Sequence, residues 1–263
     1  MNAEKVSNHI VQWLKDYAAR ANVKGFVIGV SGGIDSALTS TLCAKTGLAL
    51  LCLEMPIHQA DSQVNRAKDH VAWLKNAFSK VSMTEINLTP VFDSLVKTFP
   101  EVENEEDRFM SLANTRARLR MTSLYYFAAL KGYLVVGTGN KVEDFGVGFY
   151  TKYGDGGVDI SPIADLLKTE VYELAKYLKI NKDILAAPPT DGLWGDDRTD
   201  EDQIGASYPE LEWAMQQNEL GKSANDFTGR QKEVLNIYIT LHKANKHKMV
   251  SIPVCEVPKS IKI

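Results

Sequence analysis

Cysteine is scarce in this chain and badly placed for metal work. Among 263 residues there are three, Cys43, Cys52 and Cys255, an odd number without the paired spacing of a zinc site. Two lie in apolar runs, where a thiol serves as a small core residue, and a reducing cytoplasm is the expected compartment. Long apolar runs are missing: none approaches the ~18 residues of a membrane span. The polar start over residues 1–5 leads straight into a helical pattern, so no secretory leader is expected. Excess positive charge is missing too. Thirty Lys and Arg against 33 Asp and Glu leave a net charge of −3, which argues against a protein built to grip a nucleic acid backbone. Two common nucleotide motifs are also absent. The only Gly-Lys-Ser, at Gly221 to Ser223, has Gln216 where a P-loop needs its first glycine, and Gly137-Thr138-Gly139 continues as Asn-Lys-Val rather than completing GxGxxG. A Walker ATPase and an ordinary NAD(P) dehydrogenase are thereby set aside.

What is present is an ordinary globular composition, 44% apolar and 24% charged. The length supports a sizeable core in a single domain over 1–263. Val6, Ile10, Trp13, Leu14 and Tyr17 form one stripe at helical spacing. Short apolar strands are predicted over 26–30, 48–55, 81–88 and 133–137. Helices are predicted over 36–46, 61–78 and 105–131. Strands apolar throughout and separated by helices imply a doubly wound parallel α/β sheet of the Rossmann type, with helices on both faces. The glycine-rich stretch 139–161 reads as loop. Helices return over 168–178 and 228–246. Between them, 188–207 is a long polar stretch with six acids from Asp191 to Asp202, which reads as a lid that shields a reactive intermediate from water.

The most informative residues are Ser31-Gly32-Gly33-Ile34-Asp35-Ser36, directly after the first strand and before a helix. The carboxyl ends of such strands form the ligand crevice. A helix N-terminus there offers free amides and a positive dipole end to phosphate. Two glycines let the backbone come close, and the serines add hydroxyl donors. Asp35 would repel phosphate, so its place in the loop points to Mg²⁺ carried with the phosphates.

This segment resembles the loop of the ATP pyrophosphatase superfamily, whose members cleave ATP between its α and β phosphates. Further segments resemble the NAD synthetases within it. They are Asn114-Thr115-Arg116-Ala117-Arg118-Leu119-Arg120-Met121, Gly137-Thr138 with Glu143, and Phe149-Tyr150-Thr151-Lys152-Tyr153-Gly154-Asp155-Gly156-Gly157-Val158-Asp159. Pro162 with Lys168-Thr169-Glu170-Val171, Pro189-Thr190-Asp191-Gly192-Leu193-Trp194, and His247-Lys248 complete the set in the family's order. The chain is identified as a member of the ammonia-dependent NAD synthetases.

The resemblance implies ligase chemistry on deamido-NAD, ATP and ammonia. A carboxylate is adenylated, pyrophosphate leaves, and ammonia then displaces AMP to give NAD. It assigns ATP to Gly29, Val30, Ser31, Gly32, Gly33, Ile34, Asp35, Ser36, Thr138, Lys168 and Thr190. Asp35, Ser36 and Lys168 are the implied catalytic set, and Asp35 with Glu143 the Mg²⁺ ligands. Deamido-NAD falls to Arg118, Lys152, Asp159, His247 and Lys248. Plainer readings stand beside several of these. Lys168 could be an ordinary surface lysine of a first helical turn, Thr190 and Asp159 turn caps, and His247-Lys248 cations favoured at a helix C-terminus. Arg116 and Arg120 read as a solvated basic face. The family also implies a homodimer. With the loop beginning at residue 31, no N-terminal glutaminase domain is expected. One departure stands out: Gly139-Asn140-Lys141 replaces the Asp-His-Ala of many short members, with one extra residue before Lys152. GMP synthetases share the SGGIDS loop without KYGDGG. Thiolases that act on tRNA would want a basic surface, and a plain nucleotide-binding module would not need this acid and cation set.

Overall fold

A computed structural model describes residues 1–190 and 199–262. Helix α1 (Ala3–Arg20) leads into strand β1 (Gly25–Gly29), helix α2 (Ile34–Lys45), strand β2 (Ala49–Glu54), helix α3 (Asp61–Ala77) and strand β3 (Val81–Glu85). Helices α4 (Thr89–Val96) and α5 (Glu105–Lys131) precede strand β4 (Leu134–Val135). All strand pairs are parallel, in the order β3-β2-β1-β4. The alternate faces of β1 explain its apolar sequence. Phe26 and Ile28 enter one core with α1, α2 and α3, while Val27 enters another with α5 and Leu51. Both faces are covered, so no position on the strand is free to be polar.

The strand order places a topological switch between β1 and β4. From β1 the chain winds outward through β2 and β3, then returns to the other side of β1. The two connections leave their carboxyl ends in opposite directions and open a crevice between them. The loop after β1 and residues 136–140 after β4 form its two lips.

Beyond the sheet lie α6 (Lys168–Tyr177), α7 (Lys182–Ala186), α8 (Asp200–Ile204), α9 (Tyr208–Glu219) and α10 (Gly229–Met249). Helices α8 to α10 pack Tyr208, Leu211, Met215, Leu235 and Tyr238 against a π-helical turn, Val142–Val147, in a separate apolar cluster. Among the described residues no helix is long and apolar enough to cross a membrane. Cys43 and Cys52 are buried and free.

The structure departs from the sequence reading in five places. The third strand stops at Glu85, where the chain turns into α4, a helix the pattern did not reveal. The fourth strand shrinks to two residues, extended only by a bridge between Val136 and Ile160. The stretch 139–161 holds the π turn rather than pure loop. The end of the polar stretch 188–207 folds into α8, capped by Thr199 accepting from the Asp202 amide. Residues 208–219 form α9, begun by Ser207 with Glu210 in a capping box.

Candidate active site

The β1–α2 loop is held by its own serines. Ser31 N–H donates to Ser36 Oγ at 3.2 Å, Ser36 Oγ–H donates to Gly33 O at 3.0 Å, and Gly33 N–H donates to Ser31 Oγ at 3.2 Å. Gly32 has φ of +82°, and a Cβ there would meet Gln63 O at 2.6 Å, so only glycine fits. No side chain caps the start of α2, which leaves first-turn amides for a ligand. Every residue from Gly29 to Ser36 lines a cleft of about 610 Å³, together with Thr138, Glu143, Lys168 and Thr190.

At the bottom of this cleft the distant motifs meet. Lys168, the first residue of α6, is 2% exposed. Its Nζ donates to Asp35 Oδ2 at 2.6 Å and to Glu143 Oε1 at 3.0 Å. It is not an ordinary surface lysine. Burial pulls its pKa down, but the two carboxylates outweigh that and hold it above the usual lysine range. Burial also raises Glu143, yet the Lys168 charge and a Tyr208 hydroxyl donating at 2.6 Å hold that carboxyl below its usual value. For Asp35 burial wins, and Glu143 adds to the rise. Asn140 is wholly buried. Its Nδ2 donates to Asp35 Oδ1 at 3.1 Å, and its Oδ1 accepts from Glu143 N–H at 3.2 Å. A buried cluster with two acids and one ammonium carries one uncompensated negative charge. Asp35 and Glu143 converge on one cation and offer hard oxygen donors, the chemistry that suits Mg²⁺ when phosphates and water complete its shell. Among the described residues no three His, Cys, Asp or Glu side chains form a closed metal set.

A second basic cluster flanks the cleft. Lys248 Nζ lines it and donates to Gly148 O and Tyr150 O, each at 2.8 Å. Lys152 Nζ donates to His247 O at 2.6 Å, and Arg118 reaches Lys152 O at 3.4 Å. The four residues are therefore neighbours, although only Lys248 faces the cleft itself. Asp159 stands apart. Its oxygens accept from Val135 N–H at 2.8 Å and Tyr125 Oη–H at 3.0 Å, and it does not line the cleft. Its partners lie 24 and 34 residues away, so the carboxylate ties β4 and α5 to this segment rather than capping its own turn.

Several residues in or beside the site escaped the sequence reading. Arg120 was assigned to a solvated face, yet it lines the cleft and donates to Met55 O at 3.0 Å and Gln59 Oε1 at 2.7 Å. Arg116 instead stacks on Phe92, 4.7 Å from the ring centroid. Asn140 had a usable signal, its place just past the carboxyl end of a strand. Tyr208 and Asp144 had none. The Asp144 carboxyl is pushed up to about 8 by burial and by Glu143, Asp155 and Asp35. The lid reading rests mainly on residues 191–198, which lie outside the described residues.

Comparison with known proteins agrees with this geometry. The family profile for NAD synthase matches residues 6–251. An NH₃-dependent NAD⁺ synthetase of Methanosarcina mazei is 36% identical, covering 97% of this chain and 99% of its own. One from Syntrophomonas wolfei is 35% identical over all of both chains. Among solved structures, an NMN synthetase from Francisella tularensis superposes with a TM-score of 0.83 at 31% identity, covering 98% and 99%. An NH₃-dependent NAD synthetase from Campylobacter jejuni gives 0.78 at 26%, covering 97% and 100%. With the β1–α2 loop, the buried lysine and the two acids already placed by the fold, the chain belongs to the NAD synthase family.

Proposed function

We propose that this protein adenylates the nicotinate carboxylate of deamido-NAD with ATP and passes the acyl group to free ammonia, yielding NAD, AMP and pyrophosphate. The observation that carries the reading is the Asp35–Lys168–Glu143 cluster at the open N-terminus of α2, inside the switch-point crevice. In the first step the carboxylate oxygen attacks the α-phosphorus and pyrophosphate departs. Amides of Gly32, Gly33 and the first turn of α2 take up its charge. Lys168 supplies a fixed cation beside the reacting phosphates. Asn140 and Tyr208 keep Asp35 and Glu143 oriented as acceptors. Asp35 and Glu143 are the residues that would hold Mg²⁺, which would supply neutralisation of phosphate charge there. In the second step ammonia attacks the acyl carbon, AMP leaves with the carboxylate oxygen, and one proton goes to solvent.

Lys248, Lys152, Arg118 and His247 form the basic flank that would meet the acceptor's phosphates, and Thr138 and Thr190 line the ATP side. Asp159 contributes by fixing the end of β4. Family membership supports a homodimer, and the exposed Tyr126 and Leu130 on α5, each 63% exposed, offer an apolar surface for it. A reduced, cytoplasmic setting fits three free cysteines.

A second reading concerns the acceptor alone. The Francisella NMN synthetase resembles this chain more than the Campylobacter NAD synthetase does, in both TM-score and identity, which favours testing nicotinate mononucleotide beside the dinucleotide. Purified protein with ATP and Mg²⁺ would be given each acceptor, with ammonium or glutamine. The proposal predicts amide and AMP in equal amounts with ammonium and none with glutamine. A kcat/KM higher for the mononucleotide would move the protein to the second reading. No AMP with either acceptor would overturn both.

A further inference from the structure

The β1–α2 loop carries no lysine or arginine of its own. Across residues 29–36 the only charged side chain is Asp35, and Lys168 beside it is shared between two carboxylates. Pyrophosphate leaves with several negative charges, and a further cation at this loop would sit where that charge develops.

Helix α3 brings one there. Its second turn packs directly on the loop backbone: a Cβ on Gly32 would come within 3.2 Å of Ala67 N and 3.3 Å of Arg66 Cβ. Arg66 is half-buried at this contact and lines the cleft. Its Nε donates to Gly32 O at 3.5 Å, a long bond. Nη1 and Nη2 meet no acceptor among the described residues, and no carboxylate there pairs with the guanidinium. Asp69 stands three residues on along α3, the spacing at which a solvated helical arginine finds an acid. The side chain turns to Gly32 instead.

The other cations of the cleft are committed. Arg120 holds Met55 O and Gln59 Oε1, and Lys248 holds two backbone carbonyls on the acceptor's flank. Arg66 alone brings to the β1–α2 loop a fork of two parallel donors, the shape that matches a pair of phosphate oxygens.

We propose that Arg66 binds the β- and γ-phosphates of ATP and stays on the pyrophosphate as it leaves. The inference rests on the amidation reading above. As the carboxylate oxygen bonds to the α-phosphorus, the bond from that phosphorus to the bridging oxygen breaks, and its electron pair stays with pyrophosphate. No proton has to move. The guanidinium and the loop amides meet the same growing charge from two sides.

The experiment titrates wild type and Arg66→Gln calorimetrically with ATP, with inorganic pyrophosphate and with AMP, each in Mg²⁺. AMP lacks the two phosphates that Arg66 would hold. A charge-assisted hydrogen bond converts to about 10- to 100-fold in affinity. R66Q should therefore weaken ATP and pyrophosphate by that factor and leave AMP within about twofold. Unchanged pyrophosphate affinity in R66Q overturns the proposal. So does a parallel loss for AMP, which would mean that the residue shapes the loop or reads the nucleoside. Should R66Q fail to fold, wild-type protein decides. Labelling of Arg66 by phenylglyoxal, read by peptide mass spectrometry, should fall several-fold with pyrophosphate and Mg²⁺ but not with AMP; equal labelling overturns the assignment. Wild-type protein that forms AMP with neither acceptor refutes the amidation reading instead, so the two failures are distinguishable.

Discussion

Asn140 donates to Asp35 Oδ1 at 3.1 Å across 105 residues of sequence, and the same amide caps the N–H of Glu143. One buried side chain therefore fixes the spacing of the two acids and ties the lip after β4 to the lip after β1. Asn140→Ala leaves one charged acceptor short of a donor and one N–H without its cap, a loss of about 1–3 kcal/mol. A fall in kcat of about 10- to 100-fold is expected. Asn140→Asp should be worse, because it adds a third acid to a cluster with a single ammonium. Amide formation measured across a Mg²⁺ titration checks the order; N140D matching or exceeding N140A would count against the account.

Lys168 carries the opposite charge of that cluster. Side-chain exposures are 3% for Lys168, 18% for Asp35 and 16% for Glu143. Removing one partner from a buried ion pair strands the other charge. Lys168→Met is expected to lose about 3–5 kcal/mol in urea unfolding and nearly all AMP release. Lys168→Arg should not restore activity, since a planar fork cannot replace a compact ammonium between two carboxylates. A K168M protein as stable as wild type would remove the ion cluster from the structural argument.

The loop glycines should respond unequally. Gly32→Ala forces a side chain into the left-handed region and onto the Gln63 carbonyl, at a cost of about 1–3 kcal/mol. Gly33→Ala meets only Ser31 Oγ, at 3.3 Å. G32A should lose ATP affinity far more than G33A, as calorimetric titration would show. Equal losses would mean that ligand contact, rather than backbone geometry, sets the requirement.

His70 makes stability depend on pH. It is 1% exposed, with Nε2 2.9 Å from Ser40 Oγ. Burial lowers its pKa from 6.5 to about 4. Above pH 6.5 the ring is neutral in both states and its effect is constant. As pH falls toward 4, the unfolded chain takes a proton that the folded chain refuses, so stability declines. The lowering from 6.5 to about 4 corresponds to about 3 kcal/mol. His70→Gln should flatten this slope in urea melts between pH 6.5 and 4. A slope unchanged in H70Q would assign the dependence to other groups.

How much of this was legible depended on the range of the forces involved. β1 and SGGIDS could be read because a strand buried on both faces must be apolar and a phosphate loop must be small. The loop's place in the cleft followed from that local signal. Helix α9 was hidden because its core contacts, Tyr208 and Leu211, belong to a cluster assembled by α10 and the π turn. The π turn itself breaks the 3.6-residue period by which a helix is recognised. Asn140 and Tyr208 act on partners 105 and 65 residues away, a relation no local pattern carries. Arg120 was misplaced for a related reason: its helix is polar on most sides, and only the fold shows which side meets Met55 and Gln59.

The most direct test of the central claim follows one oxygen atom. Deamido-NAD labelled with ¹⁸O in its carboxylate would be turned over with ATP, Mg²⁺ and ammonium, and the products analysed by mass spectrometry. If the carboxylate attacks the α-phosphorus, one ¹⁸O appears in AMP and none in pyrophosphate. Label in inorganic phosphate, or AMP without label, would contradict an acyl-adenylate at this site.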